Sequence, residues 1–197
     1  MNYNPDIHHR QSIRLKGFDY SQPGAYFVTI CTNNHENLFG EIENNSISLN
    51  KFGIIVSEKW NNIHIHFKNV ILGEYIIMPN HLHGIIVLIE SDERAKHFKT
   101  SREIIENENT NASPLREILR GTESGSLSAI IQNFISVSSR KINKIRQIRG
   151  VKVWQRGFYE RIIRNNKELN AIRNYIINNP MNWEMDENNP KNFKDSL

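Results

Sequence analysis

Two hydrophobic patterns alternate along the chain, one typical of strands and one typical of helices. Runs of β-branched and aromatic residues predict strands, whereas apolar residues that recur every three or four positions predict helices. The predicted strands are 25–32, 38–42, 46–49, 70–78, 81–89 and 154–163. The predicted helices are 51–63 after an Asn50 cap, 127–149 after a Ser126 cap, and 167–178 between an Asn166 cap and Pro180.

The order of these elements predicts an α+β fold. A strand, a hairpin, a helix, two strands, a helix, a strand and a final helix fit a ferredoxin-like, mainly antiparallel sheet with the helices packed on one face. We expect residues 1–183 to form a single domain. Residues 91–125 carry charged and small polar side chains with too little apolar surface to fold alone, which predicts a mobile insertion. The polar residues 184–197 are expected to form a loose tail.

Composition excludes two classes of protein. The 197 residues include one cysteine, Cys31, which rules out a disulfide framework and a cysteine-based zinc site and fits a reducing cytoplasm. No stretch of about 18 apolar residues occurs, so we expect neither a membrane span nor a signal peptide. The net charge of +4 is mild, so the distribution of charge along the chain is more informative than its total.

Two histidines lie two positions apart in one predicted strand. Successive side chains of a strand alternate between its faces, so His81 and His83 project together while Leu82 points the other way. Two imidazoles side by side supply half of a metal site. Two partly buried histidines with local hydrogen bonds are the alternative interpretation.

The last predicted helix carries Tyr175 and Asn179, four residues apart and therefore on one helical face. A tyrosine oxygen near a cation can act as a nucleophile once it is deprotonated, and an asparagine amide oxygen can bind the metal. The alternative for Tyr175 is an aromatic residue at the edge of the core with its hydroxyl in water.

Basic residues are concentrated late in the chain. Between positions 140 and 173, eleven basic residues face two acids, a local charge of +9. Aromatic residues interrupt this run, which suits a surface that follows a phosphate backbone and stacks bases, although such a run is also typical of a solvated face. The candidate DNA-binding residues are Arg140, Lys144, Arg146, Arg149, Lys152, Trp154, Arg156, Arg161 and Arg164.

Three main segments, 75–84, 154–159 and 175–180, and three supporting segments, 12–15, 20–31 and 113–116, carry a recognisable pattern. In this order they resemble the REP-associated tyrosine transposases, the chromosomal branch of the single-tyrosine HUH transposases. The resemblance spans nearly the whole chain apart from the insertion and the tail. The His-x-His pair alone is a weak motif, whereas the three main segments together are a strong one.

The resemblance implies a set of roles. His81 and His83 match the pair that binds Mg²⁺ or Mn²⁺, and Tyr175 matches the nucleophile that forms a 5′-phosphotyrosine and frees a 3′-hydroxyl. Asn179 stands where related enzymes commonly place a glutamine ligand, one methylene longer. Arg161 stands where many relatives have histidine, so it departs from the family pattern.

The function expected from this resemblance is metal-dependent nicking and strand transfer at single-stranded or hairpin DNA, with no membrane partner, by a monomer or homodimer. Two alternatives remain. One is a hairpin DNA-binding protein with a vestigial site that does not cut. The other is an RNA-binding ferredoxin-like module whose sheet face stacks bases.

Overall fold

The computed structural model describes residues 19–90 and 124–193. The predicted mobile insertion therefore lies almost entirely outside the described residues, as do the first 18 and the last four positions. Within the described part, no helix is both long enough and apolar enough to cross a bilayer.

Within residues 19–90 and 124–193, six strands form a four-stranded antiparallel sheet, in the order β4-β5-β1-β6, and a separate hairpin of β2 and β3. The strands are β1 Gly24–Cys31, β2 Gly40–Glu43, β3 Ser46–Leu49, β4 Val70–Ile77, β5 His81–Leu88 and β6 Tyr159–Ile163. The α-helices of the described residues are α1 Lys51–Asn61, α2 Ile63–His66, α3 Leu127–Ile145 and α4 Asn166–Asn178. Short 3-10 turns cover Asn33–His35, Pro180–Met185 and Pro190–Asn192.

The connections have ferredoxin-like topology. β1 passes through α1 to β4, and β5 passes through α3 to β6, and each crossover skips one strand of the sheet. Crossovers between parallel strands are right-handed, which places both crossover helices on the same face. The predicted ferredoxin-like α+β fold is confirmed.

The two faces of the sheet are covered by different helices. On one face, α1 and α3 pack against the larger core cluster, which includes Val28, Ile30 and Leu82. On the other face, α4 packs through Ile172 and Ile176 against a second cluster drawn from β1, β5 and β6. The expectation of helices on one face is therefore correct for α1 and α3, and α4 covers the opposite face.

Several predicted boundaries move for identifiable reasons. Helix α3 ends at Ile145 rather than near 149, and Gln147 just beyond it has a φ of 56°, which a right-handed helix cannot continue. The cap of α4 is Asn165, whose side chain accepts from Glu168 N, rather than Asn166. The strand predicted from 154 begins only at Tyr159.

The C-terminal segment (residues 180–193) corrects the expectation of a loose tail from residue 184. Its two 3-10 turns are tied together by asparagine side chains, and Asn192 Nδ2 donates to the carbonyls of Glu184 and Asp186. Asp186 and Asn189 are buried. A polar composition is compatible with order here because asparagine amides satisfy the backbone groups of the segment.

Candidate active site

The paired histidines lie on the face of β5 that α4 covers. In the pairing with β1, His81 is opposite Cys31 and His83 is opposite Thr29. Their ring centroids are 4.4 Å apart, and both side chains are buried. Leu82 points into the core on the other face, as strand alternation requires.

The hydrogen bonds of Asn80 determine which nitrogen of His81 carries the proton. Asn80 Nδ2 donates to the backbone carbonyls of His35 and Asn188, so Asn80 Oδ1 is the atom 2.8 Å from His81 Nδ1. An amide oxygen only accepts, so Nδ1 holds the hydrogen and Nε2 has its lone pair free. Burial lowers the pKa of His81 to about 4, so this ring is neutral near pH 7.

Both nitrogens of His83 are engaged. Its Nδ1 is hydrogen-bonded to Thr29 Oγ1 at 2.8 Å and its Nε2 to the Tyr175 hydroxyl at 3.1 Å. Burial lowers the pKa of His83 well below its usual range, and proximity to His81 lowers it further. The ring is neutral and is held between a strand residue and a helix residue.

Helix α4 carries Tyr175 to this point. The buried residues Ile172 and Ile176 fix the rotation of the helix, and Tyr175 lies beside them, 44% exposed, with its ring edge-on to Phe27. Burial raises the pKa of the Tyr175 hydroxyl to about 12, with smaller contributions from the charges of Asp186 and Glu187. The hydroxyl is therefore harder to ionise than a free phenol.

The structure adds Asp186, which the sequence analysis did not identify. The C-terminal segment folds back so that Asp186 Oδ2 lies 4.0 Å from His81 Nε2, while Oδ1 accepts from Asn188 N at 2.7 Å. His81, His83 and Asp186 offer ligand atoms that all lie within 4.8 Å of one another. In the sequence Asp186 is one of three acids close together, with Glu184 and Glu187, and nothing in its spacing connected it with the histidines.

Asn179, predicted as a metal ligand, lies next to this cluster, and its side-chain amide is directed towards Asp186. It is 1% exposed, and its Nδ2 donates to Asp186 Oδ2 at 3.2 Å. Its Oδ1 is buried and has no hydrogen-bond partner among the described residues. Asn179 thus holds the carboxylate and leaves one oxygen free.

These residues fit a divalent cation. His81 Nε2 and Asn179 Oδ1 are both buried without partners within the described part of the chain, and both are acceptors beside an acidic side chain. Burying hydrogen-bond acceptors without a donor costs free energy, and a bound cation would remove that cost. Imidazole nitrogens with carboxylate oxygen suit Mn²⁺ or a later transition metal better than Mg²⁺.

The predicted DNA-binding side chains do not form a single surface. Arg140 and Lys144 lie on α3, across the sheet from the histidines. Arg161 lies opposite Phe27 on β6 and therefore shares the face of the histidines, where it is paired with Glu168. Arg164 follows the end of β6 and is exposed.

The loop between α3 and β6 carries the other predicted basic residues to the His81 end of the sheet. Asn33 N donates to Val153 O, and Gln155 N donates to Cys31 O, both at 2.9 Å. Cys31 is the residue opposite His81. Four of the predicted basic residues lie in this loop, namely Arg146, Arg149, Lys152 and Arg156.

Trp154 is the predicted DNA contact that the structure contradicts. The side chain is 4% exposed, packs against Phe39 and Phe134, and donates from Nε1 to Ser138 Oγ at 2.9 Å. A base cannot stack on a ring that is enclosed in this way. Trp154 itself pairs with Thr32 in an isolated antiparallel bridge, before β6 begins. This pairing places its side chain in the core.

Comparisons with known proteins bear on both the sequence and the fold. No family model matches the chain. An uncharacterized protein of Haemophilus influenzae (strain ATCC 51907 / DSM 11121 / KW20 / Rd) is 40% identical over 188 residues, which cover 94% of this chain and 96% of that protein. The chain belongs to the family of this protein.

Among solved structures, a REP-associated tyrosine transposase bound to a REP hairpin superimposes with a TM-score of 0.53 at 16% identity, covering 87% of this chain and 74% of that one. The chain has the fold of that transposase. The resemblance read from the sequence is confirmed at this level.

Proposed function

We propose that this protein nicks and rejoins single-stranded DNA at hairpin structures through a covalent 5′-phosphotyrosine at Tyr175. The observation that carries the proposal is a contact between Tyr175 and His83. The hydroxyl oxygen of Tyr175 lies 3.1 Å from Nε2 of His83. A candidate nucleophile on a helix thus meets a buried histidine pair on a strand, and the tyrosine is itself partly exposed to solvent. The likeness in fold to a transposase bound to a REP hairpin supports hairpin DNA as the substrate.

The chemistry assigned to Tyr175 balances without a nucleotide cofactor. The tyrosine oxygen bonds to phosphorus while the bond from phosphorus to O3′ breaks, the phenol proton leaves to solvent, and the departing O3′ takes up a proton. A 3′-hydroxyl then reverses the reaction on the phosphotyrosine and restores a phosphodiester. Bond energy is conserved at each step, so a joined strand needs no external activation.

The other residues bind and orient. His81, His83 and Asp186 would hold a divalent cation, with Asn179 keeping the carboxylate in place. When bound, such a cation supplies a Lewis acid that offsets charge developing on the phosphate and eases ionisation of the phenol. The effect on ionisation matters here because burial and nearby carboxylates raise the pKa of Tyr175 to about 12.

A covalent adduct is the direct test. The protein is incubated with single-stranded hairpin DNA and Mn²⁺, and a denaturing gel is used to detect protein-linked DNA. Tyr175→Phe should abolish both adduct and nick, since it removes only the oxygen. The matched control is Tyr159→Phe, because Tyr159 packs against the same Phe27 ring. An adduct that survives Tyr175→Phe and disappears with Tyr159→Phe would reassign the nucleophile.

His81→Ala and His83→Ala should each abolish the adduct while hairpin binding persists. Calorimetric titration with Mn²⁺ measures the metal site separately from cleavage. Unchanged metal affinity in both variants would refute the assignment of the histidines.

Binding of the DNA backbone is proposed for the loop at the His81 end of the sheet and for Arg161. If about five phosphates are neutralised, log K falls with log salt at a slope near −3 to −4 for a single strand. Arg149→Glu should weaken binding to all sequences alike. Lys68→Glu is the matched control, because Lys68 is exposed near the start of β4, at the other end of the sheet. A flat salt dependence contradicts this surface.

The two alternative functions can each be distinguished from the proposed one, the first by the fold and the second by the gel assay. An RNA-binding module that stacks bases needs an open sheet face, and here α1 and α3 cover one face while α4 packs on the other. The geometry therefore argues against it. A hairpin DNA-binding protein that does not cut predicts tight binding by the wild type with no adduct in any metal, which the gel distinguishes.

A further inference from the structure

The two histidines differ in their readiness for a metal ion. His81 has a free lone pair on Nε2, since Asn80 occupies the Nδ1 hydrogen. His83 has no free nitrogen, because Thr29 and Tyr175 occupy one each. One histidine of the pair can therefore bind a metal ion as it stands and the other cannot. The side chain that occupies Nε2 of the second histidine is the proposed nucleophile, Tyr175.

Either tautomer of His83 leads to the same conclusion. If Nδ1 carries the hydrogen and donates to Thr29, the Nε2 lone pair accepts from the Tyr175 hydroxyl. If Nε2 carries the hydrogen and donates to Tyr175, that nitrogen has no lone pair for a cation. In both arrangements Nε2 cannot bind a metal while the bond to Tyr175 persists.

The bond to Tyr175 is the one better placed to yield. Thr29 is a strand residue, 8% exposed, and its contact with His83 is 2.8 Å. Tyr175 is 44% exposed, and its contact is longer, at 3.1 Å. A half-exposed side chain can turn towards solvent, whereas Thr29 is fixed by the register of β1 with β5.

We propose that the Tyr175 hydroxyl and the metal ion compete for His83 Nε2, so that metal binding releases the hydroxyl towards solvent, the side from which a DNA phosphate would approach. The inference rests on the proposed function and deepens it by linking the cofactor to the nucleophile. A phenol held by His83 is not aimed at a substrate. Release on metal binding would therefore couple a free nucleophile to a complete metal site.

Metal affinity without DNA tests the competition. Tyr175→Phe removes the competing hydroxyl and keeps the ring against Phe27. A hydrogen bond of ordinary net strength, about 0.5 to 1.5 kcal/mol, corresponds to Mn²⁺ binding that is about 2- to 10-fold tighter in Tyr175→Phe than in the wild type. Tyr159→Phe should leave the affinity unchanged, since Tyr159 shares the Phe27 contact but has no contact with His83 in the structure.

A spectroscopic measurement reports on the hydroxyl itself. Adding Mn²⁺ to the wild type should change the near-ultraviolet difference spectrum of tyrosine, and Tyr175→Phe should lose that change while Tyr159→Phe keeps it. If the wild type binds Mn²⁺ and Tyr175→Phe binds it equally or more weakly, the proposed competition is wrong. Equal affinity would mean that the hydroxyl has no effect on metal binding, and weaker affinity would mean that it is a metal ligand. Absence of Mn²⁺ binding in every protein instead refutes the metal site and with it the proposed function.

Discussion

Gly84 follows the histidine pair along β5 and faces the core, and replacing it with alanine should destabilise the protein. It is the residue of β5 that follows His83, and its missing side chain faces the indole of Trp60. A Cβ at this position would lie 2.4 Å from Cζ2 of that ring and 3.0 and 3.1 Å from two more of its carbons. Trp60 is 0% exposed and packs between Phe134 and Tyr75.

The cost follows from the distance that the ring must move. Carbon atoms pack at about 3.5 Å or more, so the indole has to retreat by roughly 1 Å into neighbours that are themselves packed. Overpacking of this kind costs about 1–3 kcal/mol, and the fixed surroundings of Trp60 place Gly84→Ala in the upper part of that range. Glycine in a strand is itself unfavourable by roughly 0.5–1 kcal/mol, which offsets part of the loss. The net expectation is about 2 kcal/mol.

Urea unfolding followed by far-ultraviolet circular dichroism measures this cost. With a slope of about 2 kcal/mol per molar, the midpoint should fall by about 1 M while the slope stays the same. A double-mutant cycle with Trp60→Phe identifies the cause, because the smaller ring gives the new methyl group room. An unchanged midpoint for Gly84→Ala, or an equal loss in the Trp60→Phe background, would refute the steric explanation.

Three further predictions concern neighbouring contacts. Asn80→Ala should weaken Mn²⁺ binding about 10- to 100-fold by calorimetry, because the tautomer of His81 is no longer held; equal affinity would show that Asn80 does not set it. Burial, and to a smaller extent nearby carboxylates, raises the pKa of the Cys31 thiol to about 12. At pH 8 this thiol should therefore react with a disulfide reagent far more slowly than it does in the unfolded chain, where it is roughly a quarter ionised. Comparable rates in the two states would contradict that shift. Ser138→Ala should cost about 1–3 kcal/mol in urea unfolding, because Trp154 Nε1 then lacks an acceptor in the core, and an unchanged midpoint would show that the indole finds another partner.

Local sequence patterns determined much of the architecture. Alternation alone places His81 and His83 on one face and Leu82 on the other, since a strand has no other way to direct its side chains. The Asn50 and Ser126 caps are those seen in the structure, because the first free amides of a helix need a side-chain oxygen close in sequence. Helical spacing likewise put Tyr175 and Asn179 on a common face.

The sequence was misleading wherever burial depended on distant parts of the chain. Trp154, in a basic run, was interpreted as a DNA-stacking residue, yet its ring fills a space bounded by Phe39 and Phe134 and its indole nitrogen meets Ser138. Composition reports the polarity of neighbours along the chain. It does not report which elements meet a side chain in space.

Only the tertiary structure decided the full composition of the site. Asp186 reaches His81 because the C-terminal segment folds back and Asn188 O accepts from Asn80 Nδ2 at 2.7 Å, a contact between residues far apart in sequence. The bond between Tyr175 and His83 also depends on how α4 rests on the sheet. Periodicity describes a single element and its faces, whereas a catalytic constellation depends on the relative placement of several elements, which long-range packing and hydrogen bonding set.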